Sequence, residues 1–362
     1  MRRALDLAAR GLATTHPNPR VGCVIVKGGA IVGEGFHERA GGPHAEVVAL
    51  QAAGTHAKGA DVYVTLEPCC HHGRTPPCTD ALIAAGVKRV HAAMRDPNPL
   101  VAGQGFESLQ KAGIECAYGP LESEALEVNR GFVSRMTRRR PWLTLKLAMS
   151  LDGRTAMASG ESKWITSPDA RADAHRLRAE AGAVLTSVNT VLEDDPELTA
   201  RLPGAARQPD RIVVDTTLRS PLAAKVWAVG ARRLALAVRP PKDRIDALRN
   251  AGVEVALVGT TPEGRVDLGS ALARLAELEV NEVLAECGPT LSGALLVAGV
   301  VDELVVYAAP VFLGHDARAL ATLPGLSALS HGPRFRFSDV TRIGEDVRLT
   351  LVPQPSALGS QP

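Results

Sequence analysis

Aromatic side chains are scarce in this chain. Phe, Tyr and Trp together make up 3% of its 362 residues, which leaves few flat surfaces on which single-stranded bases could stack. Charge of one sign is also lacking: the formal net charge is +2, so the sequence advertises no basic face for nucleic acid. No apolar run reaches membrane-spanning length, and no membrane association is expected. There is neither an internal repeat nor a low-complexity block. Gly103-Gln104-Gly105 lacks the third glycine of G-x-G-x-x-G, so a Rossmann fold is not supported. Six cysteines in a chain of this length do not make a disulfide framework.

What is present is the composition of a globular protein, 45% hydrophobic and 22% charged, with a length that suits about two domains. Residues 2–12 read as a helix, the first of a domain rather than a targeting peptide. Strands follow at 21–26 and 30–34, turned by Gly28-Gly29. Then come a helix at 43–53, a strand at 61–66, a helix at 76–85 ended by Gly86, a strand at 89–93 and a helix at 104–112. Apolar strands between helices argue for a sheet covered on both faces. Arg138-Arg139-Arg140-Pro141 reads as a solvated, extended connector, with a phosphate site as the alternative. The expected division is therefore a domain over 1–140, a second αβ series over 141–354 and a polar tail over 355–362, with disorder expected from residue 353 onward.

The densest chemistry lies between His44-Ala45-Glu46 and Glu67-Pro68-Cys69-Cys70-His71-His72-Gly73-Arg74-Thr75-Pro76-Pro77-Cys78. Three cysteines beside histidines fit metal binding in a reducing compartment, so a cytoplasmic location is expected. Pro43 suits a first helical turn, which puts His44 at the helix start. Two residues apart on a regular helix, His44 and Glu46 would diverge by about 200°. Both can serve one centre only if His44 reaches from the helix end while Glu46 approaches from the side. Cys69 after a strand and Cys78 at a helix start suit thiolates. One imidazole and two thiolates with an open position describe a catalytic zinc site, and Glu46 is the candidate proton carrier. Cys70, His71 and His72 are close enough to substitute as donors, so a closed four-ligand structural site stays open as the alternative.

In the second half, Lys146 to Gly153 reads as a strand entering a turn. Ser167 is a plausible N-cap with Pro168 at the first helical position. Arg171, His175 and Arg178 then share one face of that helix, either solvated or used for phosphate. A strand over 282–286, the turn Cys287-Gly288-Pro289-Thr290 and a helix up to 298 make a weak phosphate-cradle signal.

The first cluster resembles the cytidine-deaminase superfamily, whose signature is H-x-E followed by P-C-x-x-C. The chain departs from that spacing, with His72 where the second cysteine would stand and Cys78 following later. The longer form, together with Pro17-Asn18-Pro19-x-Val21-Gly22 and Asp96-Pro97-Asn98-Pro99, looks like the deaminase half of the bifunctional riboflavin-biosynthesis deaminase–reductases. The resemblance implies an α/β fold: an N-terminal cytidine-deaminase-like α/β/α sandwich with Zn²⁺ on His44, Cys69 and Cys78. It also implies proton transfer by Glu46 and a substrate contact from Asn18. Gly160-Glu161-Ser162-x-Trp164-Ile165-Thr166, Thr190-Val191-Leu192-x-Asp194-Asp195-Pro196-x-Leu198 and Glu286-x-Gly288-Pro289-Thr290-Leu291 resemble the reductase half, in order.

That second match implies a C-terminal dihydrofolate-reductase-like α/β domain using NADPH. By position it suggests Ala148, Trp164, Thr190, Asp194 and Gly288, Pro289, Thr290, Leu291, Ser292, Gly293 and Ala294 for the cofactor. It suggests Ser162, Arg178, Leu198, Arg201 and Glu286 for a phosphoribosylaminopyrimidine substrate. Lys146 and Asp152 are further site candidates with unseparated roles. Where the family often has a second glycine-rich turn, this chain has Thr186-Ser187-Val188-Asn189. A small-molecule partner and a homo-oligomer are expected. The competing classes are a nucleic-acid deaminase, which the charge and aromatic content oppose, and a zinc-stabilised binding protein.

Overall fold

The computed structural model describes residues 1–72, 76–203, 207–228 and 230–354. The chain divides into two compact units, Met1–Arg140 and Pro141–Pro362. Among the described residues no helix is long and apolar enough to cross a membrane.

The first unit is built on five strands: β1 (Gly22–Lys27), β2 (Ala30–Phe36), β3 (Asp61–Val64), β4 (Arg89–Ala92) and β5 (Glu115–Tyr118). Their order is β2-β1-β3-β4-β5. β1 runs antiparallel to β2 and β3, and β3, β4 and β5 are mutually parallel. Six helices accompany the sheet: α1 (Arg2–Ala9), α2 (Ala45–Ala53), α3 (Cys78–Ala85), α4 (Gln104–Lys111), α5 (Glu122–Val128) and α6 (Arg130–Arg138). Cys23, Ile25, Val62, Val64 and Val90 from the strands pack with Ala45, Ala49 and Leu82 from the helices in one core. Gly28 and Gly29 both take positive φ at the β1–β2 turn, a conformation that glycine adopts without a Cβ clash.

Four sequence expectations change here. Pro43 lies before α2 rather than in its first turn, and Pro76 and Pro77 precede α3. β5, α5 and α6 were not expected. The arginine run is not an extended connector: α6 carries Arg138, whose Nη2 donates to Ser134 at 2.6 Å, and Arg139 closes the helix in the left-handed region. Gly73, Arg74 and Thr75 lie outside the described residues.

The second unit contains β6 (Trp142–Ser150), β7 (Arg154–Ala156), α7 (Pro168–Glu180), β8 (Ala183–Ser187), α8 (Val188–Asp194), β9 (Asp210–Val214) and β10 (Arg233–Ala237). α9 (Lys242–Asn250), β11 (Glu254–Leu257), α10 (Leu268–Glu277), β12 (Glu282–Ala285) and α11 (Pro289–Val297) follow. β13 (Glu303–Ala309), β14 (Arg318–Ala319), β15 (Phe335–Ile343) and β16 (Asp346–Pro353) complete the unit. Nine strands form one sheet in the order β11-β10-β9-β8-β12-β6-β13-β16-β15, and β14 pairs with β7. From β11 to β13 every pair is parallel; β16 and β15 add antiparallel strands at one edge. Such sheets place ligands outside the carboxyl ends of their parallel strands. Ser167 caps α7 by accepting from the Ala170 N–H at 3.3 Å, with Pro168 in the first turn. Pro353, expected to begin a disordered tail, ends β16 instead, and 355–362 lie outside the described residues.

β1 meets α1 backbone to backbone at Gly22. A Cβ there would lie 2.0 Å from the Ala4 carbonyl oxygen and 2.7 Å from the Ala8 nitrogen. Gly22→Ala should therefore destabilise the first unit by about 1–3 kcal/mol, the ordinary cost of overpacking. Native-state hydrogen exchange should show this as faster exchange in α1 and β1. Unchanged exchange would mean that the helix shifts without cost.

Candidate active sites

α2 begins at Ala45, and His44 stands just outside it with extended backbone (φ −74°, ψ 160°) while its carbonyl accepts from the Val48 N–H at 3.1 Å. This one non-helical residue removes the divergence expected of two side chains on a regular helix. Cys69 lies in the loop after β3. Cys78 opens α3, and its N–H donates to the Cys69 sulfur at 3.4 Å. His44 Nδ1 is 3.2 Å from Cys78 Sγ and 3.6 Å from Cys69 Sγ, and the three donor atoms lie within 4.8 Å of one another. Bonds of about 2.0 and 2.3 Å to a tetrahedral zinc would set nitrogen and sulfur about 3.5 Å apart. The donor set fits that ion.

Among the described residues no fourth His, Cys, Asp or Glu joins the group. Cys70 instead faces the Leu100 carbonyl, and neither His71 nor His72 belongs to the cluster. The closed four-ligand alternative is not what these residues build. Hydrogen bonding from Cys78, opposed by burial and aided by His44, lowers the Cys69 thiol to about 4, while the same bond and burial push Cys78 upward. A lowered Cys69 and a raised Cys78 describe one proton shared between the two sulfurs, which a dication would displace. Glu46 is buried beside them and hydrogen-bonds with Cys78. Burial first, and then the Cys69 charge, raise its carboxyl to about 7.

Asn18 reaches this centre through His37. Its Nδ2 lies 3.0 Å from His37 Nε2, and the His37 ring packs edge-on against His44 with centroids 5.3 Å apart. The loop carrying the cysteines rests on Glu67, a buried carboxylate that accepts from the N–H groups of Asp96 (3.2 Å), Gly103 (3.1 Å) and Phe106 (3.3 Å). Sequence reasoning assigned no role to His37 or Glu67. An isolated histidine and a Glu-Pro pair carry no spacing signal of their own.

In the second unit, Glu286 follows β12 and is flanked by Arg178 from α7 and Lys146 from β6. Arg178 donates Nε and Nη2 to the two carboxylate oxygens, the latter at 2.9 Å, and Nη1 to the Thr199 carbonyl at 3.2 Å. Lys146 Nζ stands 3.7 Å from Glu286 and 5.7 Å from the Tyr307 ring centroid. Burial alone would raise the Glu286 carboxyl, but the Arg178 and Lys146 charges overcome it and hold the group at about 2. Nearby, the Gly288 N–H donates to Thr190 Oγ1 at 3.2 Å where α11 starts. The N–H groups of Thr290 and Leu291 then have no intrahelical acceptor, and this end suits a dinucleotide phosphate.

Comparison with known proteins assigns each unit to a family. Residues 1–94 match the cytidine and deoxycytidylate deaminase zinc-binding region, and residues 141–349 match the RibD C-terminal domain. The riboflavin biosynthesis protein RibD of Escherichia coli K12 is 53% identical over 97% of this chain and 98% of its own length. This chain belongs to the RibD family. The RibD of Aquifex aeolicus is 46% identical over 96% of each chain. Among solved structures, Acinetobacter baumannii RibD superposes with a TM-score of 0.91 at 44% identity, covering 98% of this chain and 97% of that one. A deaminase/reductase from Thermotoga maritima gives 0.85 at 35% identity, covering 98% and 97%. Membership makes the chain a bifunctional deaminase and reductase of riboflavin biosynthesis, with a zinc-binding deaminase half and a dihydrofolate-reductase-like half of the NADPH-dependent class.

Several expected contacts of this RibD family member need revision. The Leu198 side chain is buried in an apolar cluster at positive φ, so only its backbone could meet a ligand. Leu291 and Ser292 are buried, and a Cβ on Gly293 would lie 1.8 Å from the Thr322 carbonyl. Gly293 therefore serves close packing, and Leu291 can offer only its N–H. Asp152 ties two loops together, accepting from the Ser150 hydroxyl and from the N–H groups of Leu313 (3.1 Å) and Gly314 (2.8 Å). Trp164 is exposed beneath the Arg171 guanidinium, and Ala148 is half-buried on β6. Ser162 is half-buried after β7, while Asp194 and Ala294 are exposed. Arg201 is exposed and bonds to Glu197 at 3.0 Å and Thr199 at 3.2 Å.

Among the described residues three of the five Arg178 N–H groups find acceptors, so it acts first on Glu286 and has two left for a ligand. Arg178→Ala should destabilise the second unit by about 3 kcal/mol, because a largely buried carboxylate loses the closer of its two cations. Adding Glu286→Gln should recover most of that loss in urea unfolding. The wild-type contribution should be full above pH 4.5, the unperturbed carboxyl value, and lost as pH falls toward 2. An Arg178→Ala midpoint equal to wild type would contradict the pairing.

Proposed function

We propose that the first unit hydrolyses the 2-amino group of 2,5-diamino-6-(5-phosphoribosylamino)pyrimidin-4(3H)-one. The second unit then reduces the ribosyl group of 5-amino-6-(5-phosphoribosylamino)uracil to ribityl. The observation that carries this reading is the open His44–Cys69–Cys78 donor set beside buried Glu46, in one chain with the Lys146–Glu286–Arg178 cluster.

His44, Cys69 and Cys78 would hold zinc, which acts there as a Lewis acid that makes water more acidic. Glu46, with its carboxyl near 7, takes a proton from the attacking water and gives it to the departing amino nitrogen. A C–O bond forms, the C–N bond breaks and ammonia leaves. Asn18 orients the pyrimidine. In the second unit Thr190, Gly288 and the start of α11 would hold NADPH, with Ala148, Trp164 and Asp194 around it; the cofactor supplies the hydride. Glu286 and Ser162 orient the sugar, and Arg201 with the remaining Arg178 donors holds the 5′-phosphate. Lys146 stands beside Glu286 on the same face.

Near-neutral charge and few aromatics support a small-molecule substrate without nucleic acid or membrane, and six free cysteines fit a reducing cytoplasm. A homo-oligomer is part of the proposal.

Glu46→Gln should retain zinc, measured by metal analysis, and lose deamination. Reduction of the already deaminated intermediate should persist. Loss of both activities with zinc retained would contradict the assignment of separate chemistry to the two units.

A further inference from the structure

The loop that carries Asn18 is fixed at its backbone from far along the chain. The side chain of Asn129, at the α5–α6 junction, accepts from the Arg20 N–H at 2.7 Å and donates to the Arg20 carbonyl at 2.9 Å. The Arg20 guanidinium adds bonds to the carbonyls of Val128 (2.8 Å) and Leu12 (3.2 Å), and the Asn18 N–H donates to the Thr15 carbonyl at 2.9 Å. With the backbone set, one consequential freedom remains. The amide of Asn18 can present its carbonyl oxygen or, after a half-turn, its NH₂. The two ends have nearly the same shape and opposite hydrogen-bonding sense.

His37 decides between them. It is 3% exposed, and its Nδ1 lies 2.9 Å from the Pro43 carbonyl oxygen. A carbonyl can only accept, so Nδ1 carries the hydrogen. In the neutral ring Nε2 is then a bare acceptor. Its neighbour at 3.0 Å must be the donating NH₂ of Asn18. Oδ1 is thereby turned away from His37, and among the described residues it has no protein partner. The same Pro43 carbonyl that fixes the His37 ring belongs to the residue before His44, so the relay ends on the peptide that carries a metal donor.

We propose that His37 is the positioning residue of the deaminase site: held as the Nδ1–H tautomer by the Pro43 carbonyl, it locks the Asn18 amide so that only its carbonyl oxygen faces the pyrimidine. The group recognised there is an N–H donor of the substrate, an exocyclic amino or ring N–H, and a carbonyl edge is refused. This rests on the deaminase reading above and adds a residue that acts through Asn18.

The test is a double-mutant cycle in the full-length, zinc-loaded protein, with Asn18→Ala, His37→Phe and their combination. Each single change should lower deaminase kcat/KM by about tenfold or more. The double variant should be no worse than the poorer single one, because both remove the same oriented amide. Zinc content and reduction of the deaminated intermediate should not change. Losses that multiply would overturn the proposal. If His37→Phe loses zinc, His37→Leu, which also lacks any hydrogen-bonding group, takes its place in the cycle with the same two outcomes, and His37→Gln, which keeps a donor and an acceptor, should recover part of the lost deaminase activity. Nitrogen NMR of wild type should show the hydrogen of His37 on Nδ1; a hydrogen on Nε2 of the neutral ring would also overturn it. A wild-type protein that does not deaminate the pyrimidine would instead remove the functional reading itself, and this proposal with it.

Discussion

Two sulfurs, one of them buried, and an imidazole nitrogen converge within 4.8 Å in the first unit, and much of that unit is arranged to make the convergence possible. Sulfur atoms this close would repel as two thiolates, so the arrangement is stable only with a shared proton or a bound dication. His44 joins because it leaves the helical conformation one residue before α2. Cys78 joins because two prolines delay the start of α3 until its own residue. Glu67 holds the intervening loop by its three backbone bonds. Glu46 is left buried next to this cluster with a carboxyl near neutral, the condition in which one group can both accept and return a proton.

The second unit solves the opposite problem. A largely buried carboxylate, Glu286, is kept ionised by two cations that arrive from different elements, α7 and β6. The parallel sheet brings those elements to the carboxyl end of β12, next to the start of α11. Charge compensation and ligand placement therefore depend on the same strand order. One unit holds a carboxyl near neutral; the other keeps one ionised. Burial pushes both carboxyls up; at Glu46 the sulfur anion adds to it, and at Glu286 the guanidinium and ammonium overcome it.

Much of this was legible in the sequence. The metal donors sit beside strand ends and helix starts, and Gly28-Gly29, Gly86 and Ser167-Pro168 punctuate the chain where the structure turns or caps. The prolines were misplaced by a residue or two, because a proline before a helix and one in its first turn look alike without the backbone. α6 was hidden because an arginine run reads as a solvated connector unless a partner such as Ser134 is known. Arg178 and Glu286 are 108 residues apart, and Asn129 and Arg20 are 109 apart; such pairings are set by topology, which periodicity does not encode. The close packing of Gly293 had the same cause, since Thr322 comes from a distant loop.

The central claim is that one chain performs both steps on one phosphoribosyl pyrimidine. It is tested most directly by incubating the protein with 2,5-diamino-6-(5-phosphoribosylamino)pyrimidin-4(3H)-one, with and without NADPH, and weighing the product by mass spectrometry. Without NADPH the mass should change by exchange of NH for O. With NADPH it should rise further by the mass of a pair of hydrogens. A substrate recovered at its original mass under both conditions, with zinc bound, would contradict the account.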